Sequence, residues 1–310
     1  MTDFDTTALG AAVAAEADRP LPFAVPAFVD ALHRRFGTAV AAVLFYGSCR
    51  RVDQPDSLYD LYVIVDDYRC MPWFEAALAG ALPPNVYYLE VATAAGVRRA
   101  KCTAISRVDF ARGARAWFHS YLWGRFCQPV SLAYARDATA RDATLNALCD
   151  AVVKFAGEAI CLQEADFDTR ALWSEGLRTS YATELRSEGP DRADELFAAN
   201  ADYYDEVTRA AADVVGLRAT ERGRWHSDMS PNERARNRRT WRIRAVTGKL
   251  QALARILKAW ITFDGGFDYI IWKLERHSGR TIDVPERVRR RPVIHMWGFF
   301  WRLYRAGVFR

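Results

Sequence analysis

The residues that invite a chemical reading gather at one place: Gly47-Ser48, at the end of an apolar run from Val40 to Tyr46, and Asp60, at the head of a second run, Leu61 to Val65, which ends in Asp66-Asp67. A glycine at such a turn lets the backbone approach a phosphate, and Ser48 adds a hydroxyl donor at the start of the next helix or loop. Carboxylates close by suit a Mg²⁺ ion that bridges phosphate oxygens. A tight turn after a buried strand uses the same Gly-Ser pair with no ligand at all. Asp60 is what sharpens the reading, because it gives the order strand, phosphate-sized turn, acidic strand.

Side chains alternate along a strand, so Asp60, Tyr62, Ile64 and Asp66 share one face. Asp66 and Asp67 are candidates for metal ligands, for a substrate contact, or for a helix cap. Asn85 to Val91 reads as a third strand, with Glu90 on the face of Val86 and Tyr88; it is either a further metal carboxylate or an edge-strand surface glutamate. Val97 to Ser106 reads as a fourth strand, and Lys101 in its middle is either an exposed strand position or a point charge aimed at phosphates. The loop from Arg50 to Ser57 passes over the turn, so Arg50 and Arg51 are phosphate neighbours or ordinary loop arginines.

The elements that must hold these groups follow from periodicity. Residues 1–20 read as frayed chain or a loose helix. Helices are expected over Pro26 to Phe36 and Trp73 to Leu82, the second stopped by Pro83-Pro84. From Asp109 to Ile160 the pattern is helical, with a break at Gly124 to Val130, where Arg125 and Gln128 sit among aromatic residues and need partners. Helices over Leu145 to Leu162 and Leu172 to Glu188 follow, the latter containing Ser180-Tyr181. Arg218 to Arg239 is Arg-rich with few apolar residues, a mobile linker or a clamp. Trp241 to Thr262 is helical, with Val246, Leu250, Leu253, Leu257, Trp260 and Ile261 in one stripe and Arg255 and Lys258 away from it. Phe267 to His277 resumes a helix after Gly265-Gly266. Near the end, Trp297, Phe300, Trp301 and Tyr304 recur at helical spacing beside Arg302 and Arg305, which describes an interfacial helix on anionic lipid. Docking of the same aromatics on the protein's own core is the other reading.

Composition sets the bounds. The chain has 310 residues, 51% hydrophobic and 26% charged, enough for a substantial core in one large or two ordinary domains. Six cysteines form no C-x-x-C pair and five histidines are scattered, so neither a zinc site nor a disulfide framework is expected. The start lacks the marks of a secretory or transit peptide, and no apolar stretch is long enough to span a bilayer. Charge is uneven: from Arg218 onward there are 22 Lys and Arg against 8 Asp and Glu, a net of +14, whereas the first 217 residues, with 21 against 30, carry −9. The basic part therefore suits nucleic acid, a membrane surface or a polyanionic substrate.

The turn and the acidic strand resemble those of polymerase-β-type nucleotidyltransferases, with one departure. That signature sets a second carboxylate one residue beyond the first, and Tyr62 stands in its place. Phe45-Tyr-Gly-Ser48, Asp60 opening a strand that ends Val65-Asp-Asp67, Val86-Tyr-Tyr88, Lys101 in a strand ending Ala104-Ile-Ser106, and Gly124-Arg-Phe with Gln128-Pro-Val130 occur in the order found in mitochondrial-type phosphatidate cytidylyltransferases. The chain resembles that family from Val40 to Arg186, including the Ser180-Tyr181 pair, and the family also lacks an acid at the place of Tyr62. It departs at Cys102 and Thr103, where the family has an aromatic and a glycine.

The resemblance implies an α+β fold: a nucleotidyltransferase domain over 1–107 with a small mixed sheet, a helical domain over 108–217 completing the site, basic linker and helices over 218–292, and an amphipathic membrane-surface helix over 293–310. It implies transfer of a cytidylyl group from CTP to phosphatidic acid, giving CDP-diacylglycerol and pyrophosphate in phospholipid synthesis. In this chain Gly47, Ser48 and Arg125 would hold the nucleotide, and Asp60 with Asp66 or Glu90 the Mg²⁺. Lys101 would neutralise phosphate charge, Tyr181, Arg255 and Lys258 would meet the acceptor, and Trp297, Phe300, Trp301, Arg302, Tyr304 and Arg305 would meet the lipid. A bacterial relative, peripheral on the inner face of the cytoplasmic membrane, is the expected setting. The rivals are a nucleotidyltransferase with a soluble or RNA acceptor, and an inactive relative that binds nucleotide or membrane.

Overall fold

The computed structural model describes residues 8–50, 57–184, 191–262 and 282–290, and Gly298, Trp301, Arg302 and Arg305 singly. Its centre is a mixed five-stranded sheet in the order β3-β4-β2-β1-β5, built from β1 (Val40–Tyr46), β2 (Leu58–Val65), β3 (Asn85–Thr93), β4 (Gly96–Ser106) and β5 (Ser131–Ala135). β2 and β4 run parallel and the other neighbours antiparallel. β1 is buried along nearly its whole length, Val40 to Phe45, because helices cover both faces of the sheet.

One face is closed by α2 (Val25–Phe36) and α3 (Trp73–Ala81). Phe28, Leu32 and Phe36 recur at helical spacing on α2 and pack against Val43, Phe45, Tyr59 and Leu61. The other face carries Leu44, Tyr62, Ile64 and Ile105 into a larger core, shared with α4 (Arg107–Ala116), α5 (Trp123–Phe126) and α6 (Ala138–Ala159). Behind these lie α1 (Ala8–Ala17), α7 (Thr169–Ala182), α8 (Arg192–Ala198) and α9 (Ala201–Ala211). The fold is therefore α+β, and no helix of the described residues is long and apolar enough to cross a membrane.

Three sequence expectations change. The N-terminal segment is no loose helix: Leu9, Ala12, Val13 and Ala17 of α1 are buried. Residues 131–135 lie in a stretch read as helical, yet they form the edge strand β5, because pairing with β1 satisfies their backbone. Between 218 and 239 the structure has no linker. A small sheet of β6 (Asp166–Phe167), β7 (Leu217–Ala219) and β8 (Trp225–Ser227) is followed directly by α10 (Pro231–Thr262). Short strands such as these carry too few residues for periodicity to show.

The long helix α10 also turns the other way from its hydrophobic stripe. Trp241, Arg244, Gly248 and Lys258 face inward and are buried, while Val246, Leu250 and Leu253 are exposed; the side chains of Leu257, Trp260 and Ile261 lie outside the described residues. Arg244, 3% exposed, forms a fork with Glu158 of α6 at 2.7 and 2.8 Å and donates to the Phe118 carbonyl. Trp123 and Trp241 flank its guanidinium. A Cβ on Gly248 would come within 2.5 Å of the Thr183 carbonyl oxygen, so the glycine sets how closely α10 meets the end of α7. After it, the short α11 (Glu286–Arg290) buries Val288.

Candidate nucleotide site

β1 ends at Tyr46, directly opposite Asp60 on β2. Gly47 then turns with φ +86°, a left-handed conformation that suits glycine, and a Cβ there would lie 2.8 Å from Asp60 Oδ2. The glycine is required twice, once for the turn and once to leave room beside the carboxylate. Ser48 follows, exposed, opening a single 3₁₀ turn. Arg50 does not reach toward this space: it donates to Ser131 Oγ at 3.0 Å and to Glu16 at 2.7 Å, fastening the turn to β5 and α1. Arg51 lies outside the described residues.

Across the sheet, Asp60, Lys101 of β4 and Tyr88 of β3 stand in register and so share one face. Lys101 is half-buried. Glu90 is on that face too, but it accepts from the Tyr88 hydroxyl at 2.8 Å and from Arg99 Nε at 3.1 Å. Two strands across and two residues along place it roughly 12 Å from Asp60, Cα to Cα. Asp66 lies six residues further on, just past the end of β2, about 20 Å from Asp60. It receives a fork from Arg136 at 2.6 and 3.1 Å, with Arg107 at 3.9 Å, and the Arg136 hydrogen bonds hold its carboxyl below the usual range. The three acids proposed for one metal thus occupy three places. Among the described residues no group of three or more His, Cys, Asp and Glu side chains is arranged to hold an ion. Asp67 is a cap, accepting from Arg69 N at 2.7 Å, though on the 3₁₀ turn Tyr68–Cys70 rather than on α3.

Tyr62, where a second carboxylate would be sought, is fully buried. Its ring meets Phe126 edge-on at 4.8 Å and lies near Tyr46 and Phe110, so this position joins the sheet to the helical layer. Burial pushes its phenol well above the ordinary range. A carboxylate there would be enclosed by aromatic rings.

The helical half holds a second group of charged side chains, around Tyr121. Arg125 of α5 donates to the Tyr121 carbonyl at 2.8 Å, lies 3.4 Å from Glu184, and holds its guanidinium carbon 4.4 Å from the Tyr121 ring centroid. Arg255 of α10 covers the same ring at 3.8 Å and donates to the Pro83 carbonyl at 3.2 Å. Burial raises the Tyr121 phenol, but Arg125, Arg255 and Lys101 outweigh it and hold the hydroxyl below its ordinary value. Two guanidinium groups, from α5 and from α10, thus stack on one tyrosine. Lys258 donates to the Leu82 and Pro84 carbonyls ahead of β3; burial and then Arg255 push its ammonium down to about 8. His119 is lowered by burial, with Arg255 and Arg244 adding to it.

The Gly124 and Ser180 motifs meet directly, since a Cβ on Gly124 would fall 2.3 Å from Ser180 Oγ. Tyr181 donates to Gln128 Oε1 at 3.1 Å, and Gln128 to the Gly124 carbonyl at 2.8 Å. Gln128 thereby has the partner its aromatic setting demanded. Of the sequence candidates, the structure gathers Gly47, Ser48, Asp60 and Lys101 on one side and Arg125, Arg255 and Lys258 on the other. Asp66 and Glu90 stand apart. Tyr121, the ring Arg125 and Arg255 share, did not stand out in the sequence; it was one aromatic among several around Arg125. Trp301, Arg302 and Arg305 are exposed, and Trp297, Phe300 and Tyr304 lie outside the described residues. No protein-family model matches the chain, and no curated protein does.

Proposed function

We propose that the chain is a nucleotidyltransferase of the polymerase-β type that transfers a cytidylyl group from CTP to phosphatidic acid. The observation that carries this is the Gly47 turn, held open against Asp60, with Lys101 in register and the Tyr121 cations beyond. Such a face is acidic at one point and basic around it, which is what a metal-bound triphosphate and a second phosphate require. The mixed sheet with helices on both faces suits the same reading.

The donors at the site suit a Mg²⁺ ion carried in by a nucleotide. Asp60 stands beside a turn whose Cβ-free space lies against its oxygen, and Mg²⁺ is commonly held by one or two carboxylates together with substrate phosphates. A nucleotide-borne ion therefore fits Asp60, with the phosphates completing its shell; Asp66 and Glu90 stand too far off to join it. When bound, Mg²⁺ supplies charge neutralisation at the phosphates. Gly47 and Ser48 seat the β- and γ-phosphates, and Lys101 and Arg125 offset their charge. An oxygen of the acceptor phosphate forms a bond to the α-phosphorus, the bond from that phosphorus to the bridging oxygen breaks, and pyrophosphate leaves with the electron pair. The nucleophile is already an anion, so no strong general base is needed.

Pyrophosphate release from CTP with Mg²⁺ and phosphatidic acid vesicles, compared with ATP, GTP and UTP and with no lipid, tests the proposal. Release that needs both CTP and the lipid supports it. Release with a soluble phosphate acceptor alone moves the reading to that acceptor. A second reading, a relative that binds nucleotide without turnover, is favoured by Tyr62, which stands fully buried where the polymerase-β signature has its second carboxylate. CTP binding by calorimetry with no pyrophosphate release would select it.

A further inference from the structure

One stripe of α10 points away from the protein: Arg236, Arg239, Ile243, Val246, Leu250 and Leu253 recur at intervals of three and four. All six are exposed, the four aliphatic side chains at 56, 65, 64 and 48%. The stripe is ordered by chemistry along its length. Arginines, with Arg242 beside them, occupy the N-terminal part, and aliphatic side chains the part that follows, over about 26 Å of helix. A cleft of about 520 Å³ lies at the arginine end, lined by Arg234, Arg238, Arg239 and Arg242, with Glu164 the carboxylate in its wall. Arg234 and Arg238 are hydrogen-bonded to main-chain carbonyls, which leave their charge uncompensated. Among the described residues Arg239 and Arg242 have neither a hydrogen bond nor an ion pair.

We infer that this outward face of α10 docks on an anionic lipid bilayer, its aliphatic side chains entering the interface and its arginines meeting headgroup phosphates. Charge complementarity selects this occupant. A protein partner would have to place several carboxylates opposite the arginines and an apolar patch opposite the aliphatics, whereas a bilayer offers both layers at fixed depth. The helix also sets the geometry of supply. Arg255 and Lys258 point inward from the turns beside Leu250 and Leu253, so the lipid face and the Tyr121 cluster are opposite sides of one helix. That second consequence rests on the proposed lipid acceptor; the docking surface does not.

The test is flotation of the full chain with phosphatidylcholine vesicles, with and without phosphatidylglycerol, an anionic lipid that is not the acceptor. The intact chain is expected to float only with the anionic vesicles. The doubly substituted Leu250→Asp, Leu253→Asp chain should lose about tenfold or more in partitioning, as removal of one buried leucine from an apolar phase already does. Arg239→Gln with Arg242→Gln should weaken binding and flatten its salt dependence. These positions are exposed, so folding is checked by circular dichroism and is expected unchanged. Failure of the intact chain to float overturns the inference, as does flotation of the leucine variant equal to the intact chain's. A dimer in sedimentation equilibrium that the leucine variant dissolves would overturn it in favour of a second copy. CTP-dependent pyrophosphate release is read separately, so loss of the lipid face and loss of the proposed reaction are distinguishable.

Discussion

Arg255 places its guanidinium carbon 3.8 Å from the Tyr121 ring centroid, on the opposite side of the sequence from the Gly47 turn but on the same ring as Arg125. This contact ties α10 to the segment ahead of α5, and the hydrogen bond from Arg255 to the Pro83 carbonyl ties it to the turn ahead of β3. An Arg255→Ala chain loses the cation–π contact and the hydrogen bond to Pro83, and is expected to be destabilised by about 1–2 kcal/mol in urea unfolding. Its pyrophosphate release should fall more steeply than stability explains, and Arg255→Lys should recover stability better than turnover, because lysine lacks the planar face.

Gly47→Ala is expected to lose activity before it loses the fold. The left-handed turn costs an L-residue roughly 1–2 kcal/mol, and the added methyl meets Asp60 Oδ2. The urea midpoint reads the first effect and CTP turnover the second; a variant as active as the parent would remove the turn from the site.

The acids separate cleanly by substitution. Asp60→Asn should abolish turnover and Mg²⁺-dependent nucleotide binding. Asp66→Asn breaks a partly exposed pair with Arg136, worth about 1 kcal/mol or less, and should leave turnover nearly unchanged. Glu90→Gln should behave in the same way. Loss of turnover in either of these two, with the fold intact, would return that acid to the site.

Glu158 gives the docking of α10 a pH dependence. Burial raises its carboxyl, but hydrogen bonds from Arg244 and Lys154 outweigh this and hold it below the ordinary value. The unfolded chain therefore binds the proton first as pH falls. The stability contributed by this group is present above the ordinary glutamate range and is lost as pH drops through the lower folded value. Glu158→Gln should flatten that part of the acid-unfolding curve. Arg244→Met, which leaves a largely buried carboxylate without its fork, should cost about 3 kcal/mol at neutral pH.

Much of the fold was legible in the chain. β1 runs over the same residues as the first apolar run, α2 begins one residue before its expected start, and β3 and β4 extend the third and fourth expected strands by only a few residues. Local pattern sufficed because each of these elements is long and buries a regular face. The Gly47-Ser48 turn beside Asp60 was legible for the same reason, since a strand, a turn and a strand that follow one another closely pair as neighbours.

Tertiary structure decided the rest. Alternation put Asp60 and Asp66 on one face, but it said nothing of the length between them, nor that Arg136, brought in by β5, would claim Asp66. Periodicity in α10 grouped Val246 with Leu250 and Leu253; it could not choose which side faced inward. That choice fell to Trp241, the Arg244 fork with Glu158 and the close approach at Gly248, all contacts with residues far away in sequence. The stacking of Arg125 and Arg255 on the Tyr121 ring is of the same kind. Sequence determines which side chains share an element's face, because that depends on backbone repeat alone; which faces meet depends on packing among distant elements, and only the folded chain settles it.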